Sequence, residues 1–137
     1  MLIDAKDTIL GRLAAYAAKQ ALIGEKVDII NCELAIITGS KKDILKKYKE
    51  KTQRGHPYHG PFFPKIPDKL VRRTIRGMLP YKTKKGRDAY KNIKCYKSIP
   101  EKFKDKKSIK LPKTLSKLKI LKYLTVKDLC KELKYKK

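Results

Sequence analysis

Residues 2–30 read LIDAKDTILGRLAAYAAKQALIGEKVDII, and this stretch decides the fold. Leu2 and Ile3 open a short apolar strand. Thr8 is then placed to cap a helix whose apolar residues Leu10, Leu13, Ala14, Ala17, Ala18 and Ala21 recur at i, i+3, i+4, i+7, i+8 and i+11, one continuous face to bury. Gly24 stands where a helix C′ residue belongs, and Val27 to Ile30 is a β-branched strand. Strand, helix and strand together have the length of a crossover between parallel neighbours, so the chain is read as α/β with a parallel sheet.

Working outward, Leu34 to Ile37 is a second apolar run that ends at Thr38 and Gly39. Ser40 and Asp43 have capping-box spacing for another helix through about Gln53, with Leu45 and Tyr48 facing inward and its lysines outward. Ile93 and Cys95 alternate with Lys94 and Tyr96 as a half-buried strand. A last helix follows Thr125 and buries Val126, Leu129, Cys130 and Leu133. Residues 98–124 are Lys-rich and weakly periodic, with no readable element. The expectation is one domain over 1–137: an α/β core half (1–53), basic loops and a helix (54–97), the unread segment (98–124), and a C-terminal helix with a basic tail (125–137). Cys32, Cys95 and Cys130 are odd in number and form no CxxC, so they read as reduced core thiols, Cys95 and Cys130 on buried faces, without disulfide or metal.

Charge is distributed very unevenly. The net charge is +24 from 37 basic and 13 acidic side chains, yet residues 1–38 hold only four basic side chains against five acidic ones. The remaining 33 basic groups face eight acids, a density that self-repels without a polyanionic partner. No uncharged apolar stretch approaches the roughly 18 residues of a membrane span, and Met-Leu-Ile-Asp has no basic n-region, so a cytoplasmic protein with no membrane partner is expected.

Within the basic part, residues 54–87 contain five of the six arginines, and Asp68 is the only acid among them. A guanidinium presents a planar fork that matches phosphate oxygens, whereas lysine is a point charge, so arginine gathered in one segment points to specific phosphate contacts. After Pro67 and Asp68, Lys69, Arg72, Arg73 and Arg76 fall at i, i+3, i+4 and i+7 of a helix, with Val71, Ile75 and Met78 on the packing side. The competing reading is an ordinary solvated face, but apart from Asp68, four before Arg72, no acid is interleaved at i±4 to relieve the repulsion. Arg54-Gly-His-Pro-Tyr-His-Gly-Pro-Phe-Phe-Pro upstream is a rigid irregular loop, with His56, Tyr58, His59, Phe62 and Phe63 free either to stack or to pack. Pro80 to Arg87 downstream reads as a cationic loop suited to a phosphate backbone. Tyr81 and Tyr90 are open between core and surface roles.

Gly11-Arg12-Leu13-Ala14, Asn31-Cys32-Glu33, Ile37-Thr38-Gly39, Arg72-Arg73-Thr74-Ile75-Arg76-Gly77-Met78-Leu79-Pro80 and Lys84-Lys85-Gly86-Arg87 stand in an order that closely resembles the ribosomal protein L13 family in its archaeal and eukaryotic form, over residues 1–97. The resemblance implies a three-layer α/β/α fold with a mainly parallel four-stranded sheet. It also implies a structural, non-enzymatic role in the large ribosomal subunit, with large-subunit rRNA and neighbouring ribosomal proteins as partners and no cofactor or small-molecule substrate. The positions it offers for rRNA are Arg54, His56, Tyr58, Lys65, Lys69, Arg72, Arg73, Arg76, Lys82, Lys84, Lys85 and Arg87. The absence of a long C-terminal extension points to the archaeal type.

Two other classes compete. Ile36 to Ser40 runs from strand into helix, where a helix N-terminus with Lys41 and Lys42 offers a nucleotide-phosphate site, although Walker and GxGxxG spacings are missing and no nucleophile–base pair stands out. A free-standing RNA- or DNA-binding regulator has the same charge signature.

Overall fold

The computed structural model describes residues 1–111 and 122–133. The elements run β1 (Leu2–Asp4), α1 (Leu10–Ile23), β2 (Val27–Ile30), β3 (Ile36–Thr38), α2 (Lys41–Gln53), α3 (Pro67–Gly77), α4 (Lys84–Lys91), β4 (Ile93–Cys95), β5 (Ile109–Lys110), β6 (Tyr123–Thr125) and α5 (Val126–Glu132), with 3-10 turns at Cys32–Leu34 and Glu101–Phe103. The main sheet has the order β4-β2-β1-β5, and all its pairs are parallel. Ile3 lies opposite Ile29 and Ile109, and Ile29 opposite Cys95.

Side chains alternate across the sheet. Ile3, Val27 and Ile29 point into the large cluster under the helices, where Leu13, Ala14 and Ala17 of α1 are wholly buried. Alanine along that face removes the bulk that would hold the helix off the strands. α3 packs beside α1 and over β4, and α4 packs on α1 and β4. Leu2 and Ile30 point the other way, onto Phe103, whose ring meets Tyr96 edge-on at 5.3 Å. The α/β class with a four-stranded parallel sheet therefore holds: helices cover one face and, among the described residues, the 3-10 turn at Glu101–Phe103 covers the other.

The ends of the strands are fastened by side chains. Asn31 has φ 55°, in the left-handed region that asparagine tolerates, and its Nδ2 donates to Asp4 Oδ1 at 2.9 Å. The Glu33 carboxylate accepts from the Ser98 amide at 3.0 Å, and the Cys32 amide donates to the Tyr96 carbonyl at 3.2 Å. The Asn31-Cys32-Glu33 motif thus joins the exit of β2 to β1 and to the exit of β4.

Several expectations change. The run at Leu34 to Ile37 yields β3 outside the main sheet, in an antiparallel pair with β6 that sets Ile37 opposite Leu124. Thr8 does not cap α1: Ile9 holds the N-cap, and the buried Thr8 hydroxyl donates to the Lys6 carbonyl. Ser40 stands at the N-cap of α2 without a side-chain cap bond, and Ile44 is the buried residue there, with Leu45 and Tyr48 half-buried against the core. Gly24 closes α1 as expected, at φ 105° with its amide on Ala21 O. Thr125 caps α5, accepting from the Asp128 amide at 3.1 Å, and Val126, Leu129, Cys130 and Leu133 are all buried. Of residues 98–124, positions 112–121 lie outside the described residues, as does the basic tail at 134–137.

Candidate nucleic-acid interface

Pro67 occupies the first turn of α3, where its missing N–H costs nothing. The helix buries Leu70, Val71 and Ile75, the last two wholly. Leu70 was not expected in the core, and Met78, expected to pack, sits at the C-cap and is 43% exposed. Periodicity carried the apolar stripe one residue past the helix, where the chain turns out.

On its other side α3 carries Lys69, exposed, and Arg72, Arg73 and Arg76, each half-buried. Each arginine lies on an aromatic ring. Arg72 stacks on Tyr90 with its guanidinium carbon 4.4 Å from the ring centre, Arg73 on Phe63 at 5.0 Å, and Arg76 on Tyr81 at 5.0 Å. Arg73 also donates to the Phe62 carbonyl at 2.9 Å, and Arg72 more weakly to the Tyr90 carbonyl at 3.4 Å. Ring contacts of this kind hold a guanidinium in one orientation and leave part of its fork to a ligand. They also join α3 to its neighbours, because Phe62 and Phe63 belong to the upstream loop and Tyr81 and Tyr90 to the downstream segment. Tyr81 and Tyr90 are therefore arginine supports, a role between the two left open by the sequence.

The downstream segment is not a loop throughout. Lys84, Lys85, Gly86 and Arg87 form the first turn of α4, capped by Thr83, whose Oγ1 accepts from the Gly86 amide at 3.2 Å. Thr83 also donates from its hydroxyl to Pro80 O at 2.8 Å, folding the turn back on itself. A Cβ on Gly86 would overlap the Pro80 carbonyl, so the residue that suggested a loop is a glycine required by close backbone approach. The change places Lys84, Lys85 and Arg87, all exposed, at a helix N-terminus, where free amides and the helix dipole add to their charge. Gly86→Ala is expected to lower stability by about 1–3 kcal/mol, the usual cost of overpacking, where an open helical glycine such as Gly77 would tolerate alanine. Thermal melts of the two variants side by side check this.

Upstream, residues 54–63 are closed by paired bonds: the His56 amide donates to Gly60 O at 3.0 Å and the Gly60 amide to His56 O at 2.8 Å. Gly55 has φ 95°, and a Cβ there would overlap the Gly60 carbonyl. Arg54, His56, Tyr58 and Lys65 are exposed. Phe63 packs, meeting Tyr48 edge-on at 5.9 Å. His56 and His59 stack at 5.4 Å, and no group of three or more metal-ligating side chains occurs among the described residues.

One contributor was missed. Lys51, in the last turn of α2, lies 5.1 Å over Tyr48 and shares a cleft of about 300 Å³ with Arg54, Pro61, Phe63 and Arg73. Burial, then repulsion from Lys47, Arg54 and Arg73, lowers its pKa below the ordinary lysine value. The i, i+3 spacing of Tyr48 and Lys51 was visible in the sequence, but the approach of α3 was not.

The rival nucleotide site is differently engaged. The Gly39 amide donates to Lys122 O at 3.0 Å, and Lys41 pairs with Glu132 at 3.3 Å. The thiols also depart from expectation. Cys130 is buried, with burial and then the Asp68 charge pushing its pKa up to about 12, but Cys95 is only half-buried. Cys32, fully buried, has its ionisation suppressed first by a hydrogen bond with Cys95 and then by burial, so the parallel pairing brings together two thiols far apart in sequence.

A small, strongly basic α/β protein whose arginines are splinted by rings along one flank has the signature of a nucleic-acid-binding protein. The family model described as Ribosomal protein L13 matches residues 1–102. The large ribosomal subunit protein uL13 of Methanopyrus kandleri is 44% identical over 138 residues, covering 98% of this chain and 86% of that protein. Those of Methanosarcina barkeri and Archaeoglobus fulgidus are 50% and 39% identical, covering 79% and 98% of this chain and 78% and 88% of their own lengths. The chain belongs to the ribosomal protein L13 family, which is structural and non-enzymatic.

Proposed function

We propose that the chain is a structural constituent of the large ribosomal subunit that binds and stabilises large-subunit rRNA, next to other ribosomal proteins and without a cofactor. The observation that carries the reading is the row of three ring-supported arginines on α3, flanked by the Arg54 loop on one side and the basic first turn of α4 on the other. Arg54, His56, Tyr58, Lys65, Lys69, Arg72, Arg73, Arg76, Lys82, Lys84, Lys85 and Arg87 are the proposed contacts. Arg72 serves more as a strut than as a ligand, since its Nε is buried and its fork already meets Tyr90. The names carried by the relatives support the ribosomal setting over a free-standing regulator.

If about six to ten phosphates are engaged, affinity for a large-subunit rRNA fragment is expected to fall roughly 10³- to 10⁵-fold between about 50 and 200 mM salt, with structured RNA competing better than duplex DNA. Filter binding across a salt series measures both. A shallow slope, or equal competition by DNA, would count against the proposal, as would a sucrose-gradient profile of a lysate in which the chain sediments away from large subunits.

A further inference from the structure

The loop at 54–63 holds two aromatic rings that the fold does not use. Tyr58 is 84% exposed and Phe62 69%, while the adjacent Phe63 is packed against Tyr48. The rings are not exposed by looseness. The mutual His56 and Gly60 backbone bonds close the turn, Gly55 and Gly60 adopt positive φ, and Arg73 holds the Phe62 carbonyl from α3. Tyr58, at the tip, is steadied by its amide donating to His56 Nδ1 at 3.3 Å and by ring contact with His56 at 5.6 Å. Large rings held out to solvent on a fixed support offer their faces to a partner.

At the foot of the same loop is the cleft of about 300 Å³ lined by Lys51, Arg54 and Arg73 with Pro61 and Phe63. No acid lines it, and the cations crowd one another enough to lower the Lys51 pKa. Rings that accept a flat face, on a loop whose Arg54, Pro61 and Phe63 line a cleft that accepts anions, match the two parts of a nucleotide. In a continuous A-form duplex the base faces are covered by stacking and only edges and backbone are offered, so the complement of this surface is an unpaired segment.

We propose that loop 54–63 recognises unpaired nucleotides of RNA, their bases stacking on Tyr58 and Phe62 while their phosphates enter the cleft among Lys51, Arg54 and Arg73. The inference rests on the RNA-binding reading above and adds the kind of RNA and the residues that select it, including Lys51.

The full chain is titrated with two synthetic RNAs: a fully paired hairpin, and the same hairpin with a four-nucleotide bulge carrying 2-aminopurine. The expected result is tighter binding of the bulged RNA with quenching of the probe. The double variant Tyr58→Leu/Phe62→Leu keeps apolar bulk at exposed positions and removes the rings. It should lose roughly 5- to 100-fold in affinity for the bulged RNA and distinctly less for the paired hairpin. Lys51→Gln should weaken the bulged RNA more than the paired hairpin, which also offers phosphates to the cleft. Failure of the wild-type chain to bind either RNA at low salt would overturn the RNA reading and this inference with it. Equal binding of both RNAs, unaffected by the ring substitutions, would leave the RNA reading standing and overturn this one. Ring variants that keep full RNA affinity yet fail to enter large subunits would place the rings against a protein neighbour, which also overturns it.

Discussion

Ile75→Asp is expected to leave the free chain unfolded, or nearly so, at about 25 °C. Ile75 is fully buried in the large cluster, on the side of α3 that packs against α1 and β4. Removing its side chain deletes apolar contacts that in cores of this kind are worth about 2–5 kcal/mol. The aspartate adds the cost of a polar or ionised group with no designed partner, several kcal/mol more, against a total stability of roughly 5–15 kcal/mol. Ile75→Val, which removes one methylene, should cost only about 0.5–1.5 kcal/mol and keep the cooperative melt. A second measurement separates buried charge from lost volume. Burial raises the pKa of the new carboxyl above the unfolded value of about 4, so its penalty is smallest at low pH and grows as pH rises through that value. The difference in stability between Ile75→Asp and Ile75→Ala should therefore narrow as pH falls. A variant that melts like the wild type would show that this side of α3 is not the packed one.

How much of this was readable depended on whether the deciding contacts were local. The six apolar positions of α1 and the four of α5 all proved buried, because a 3.6-residue stripe is written within one helix. Gly24 and Thr125 were readable for the same reason: each cap is settled within a few residues. Thr8 and Ser40 have the right chemistry to cap, but neither side chain does. Thr8 is held in the turn before α1, its carbonyl accepting from the Ile36 amide, a demand from another strand. β3 could be seen as an apolar run, but its partner Tyr123–Thr125 lies at the other end of the chain, so its sheet could not be assigned. α4 was hidden by Gly86, a helix breaker by composition that is needed where the helix meets Pro80. Within the candidate site the periodicity separated α3 into a packing side and a cationic side. It could not show that Tyr81, Tyr90 and Phe63 come from other elements to lie under the arginines, nor that Lys51 joins Arg73 across the loop.

That last distinction changes which charge reversal isolates binding from folding. Arg72 and Arg76 share a stripe, and the sequence suggests reversing both without touching the core. In the structure Arg72 is half-buried with its Nε inaccessible and its guanidinium on Tyr90, so Arg72→Glu would leave a carboxylate against a ring and the Tyr90 carbonyl. That variant should lose stability as well as binding and is a poor probe. Lys69→Glu with Arg76→Glu is the better pair: Lys69 is exposed, and among the described residues Arg76 has its stack on Tyr81 at 5.0 Å to lose, on a ring that is itself 42% exposed. The free double variant should melt close to the wild type, since reversing charge on a chain of +24 also relieves repulsion. Its RNA binding should fall sharply. Two charge-assisted contacts at about 1.5–3 kcal/mol each correspond to roughly 10²- to 10⁴-fold in affinity. Because each phosphate contact contributes nearly one unit to the logarithmic salt slope, the slope should shrink by about two. Loss of affinity with an unchanged slope would mean that these side chains do not meet phosphate. Intact binding would return the stripe to an ordinary solvated surface and move the RNA contacts of α3 onto Arg73, which lies against the loop rather than along the helix.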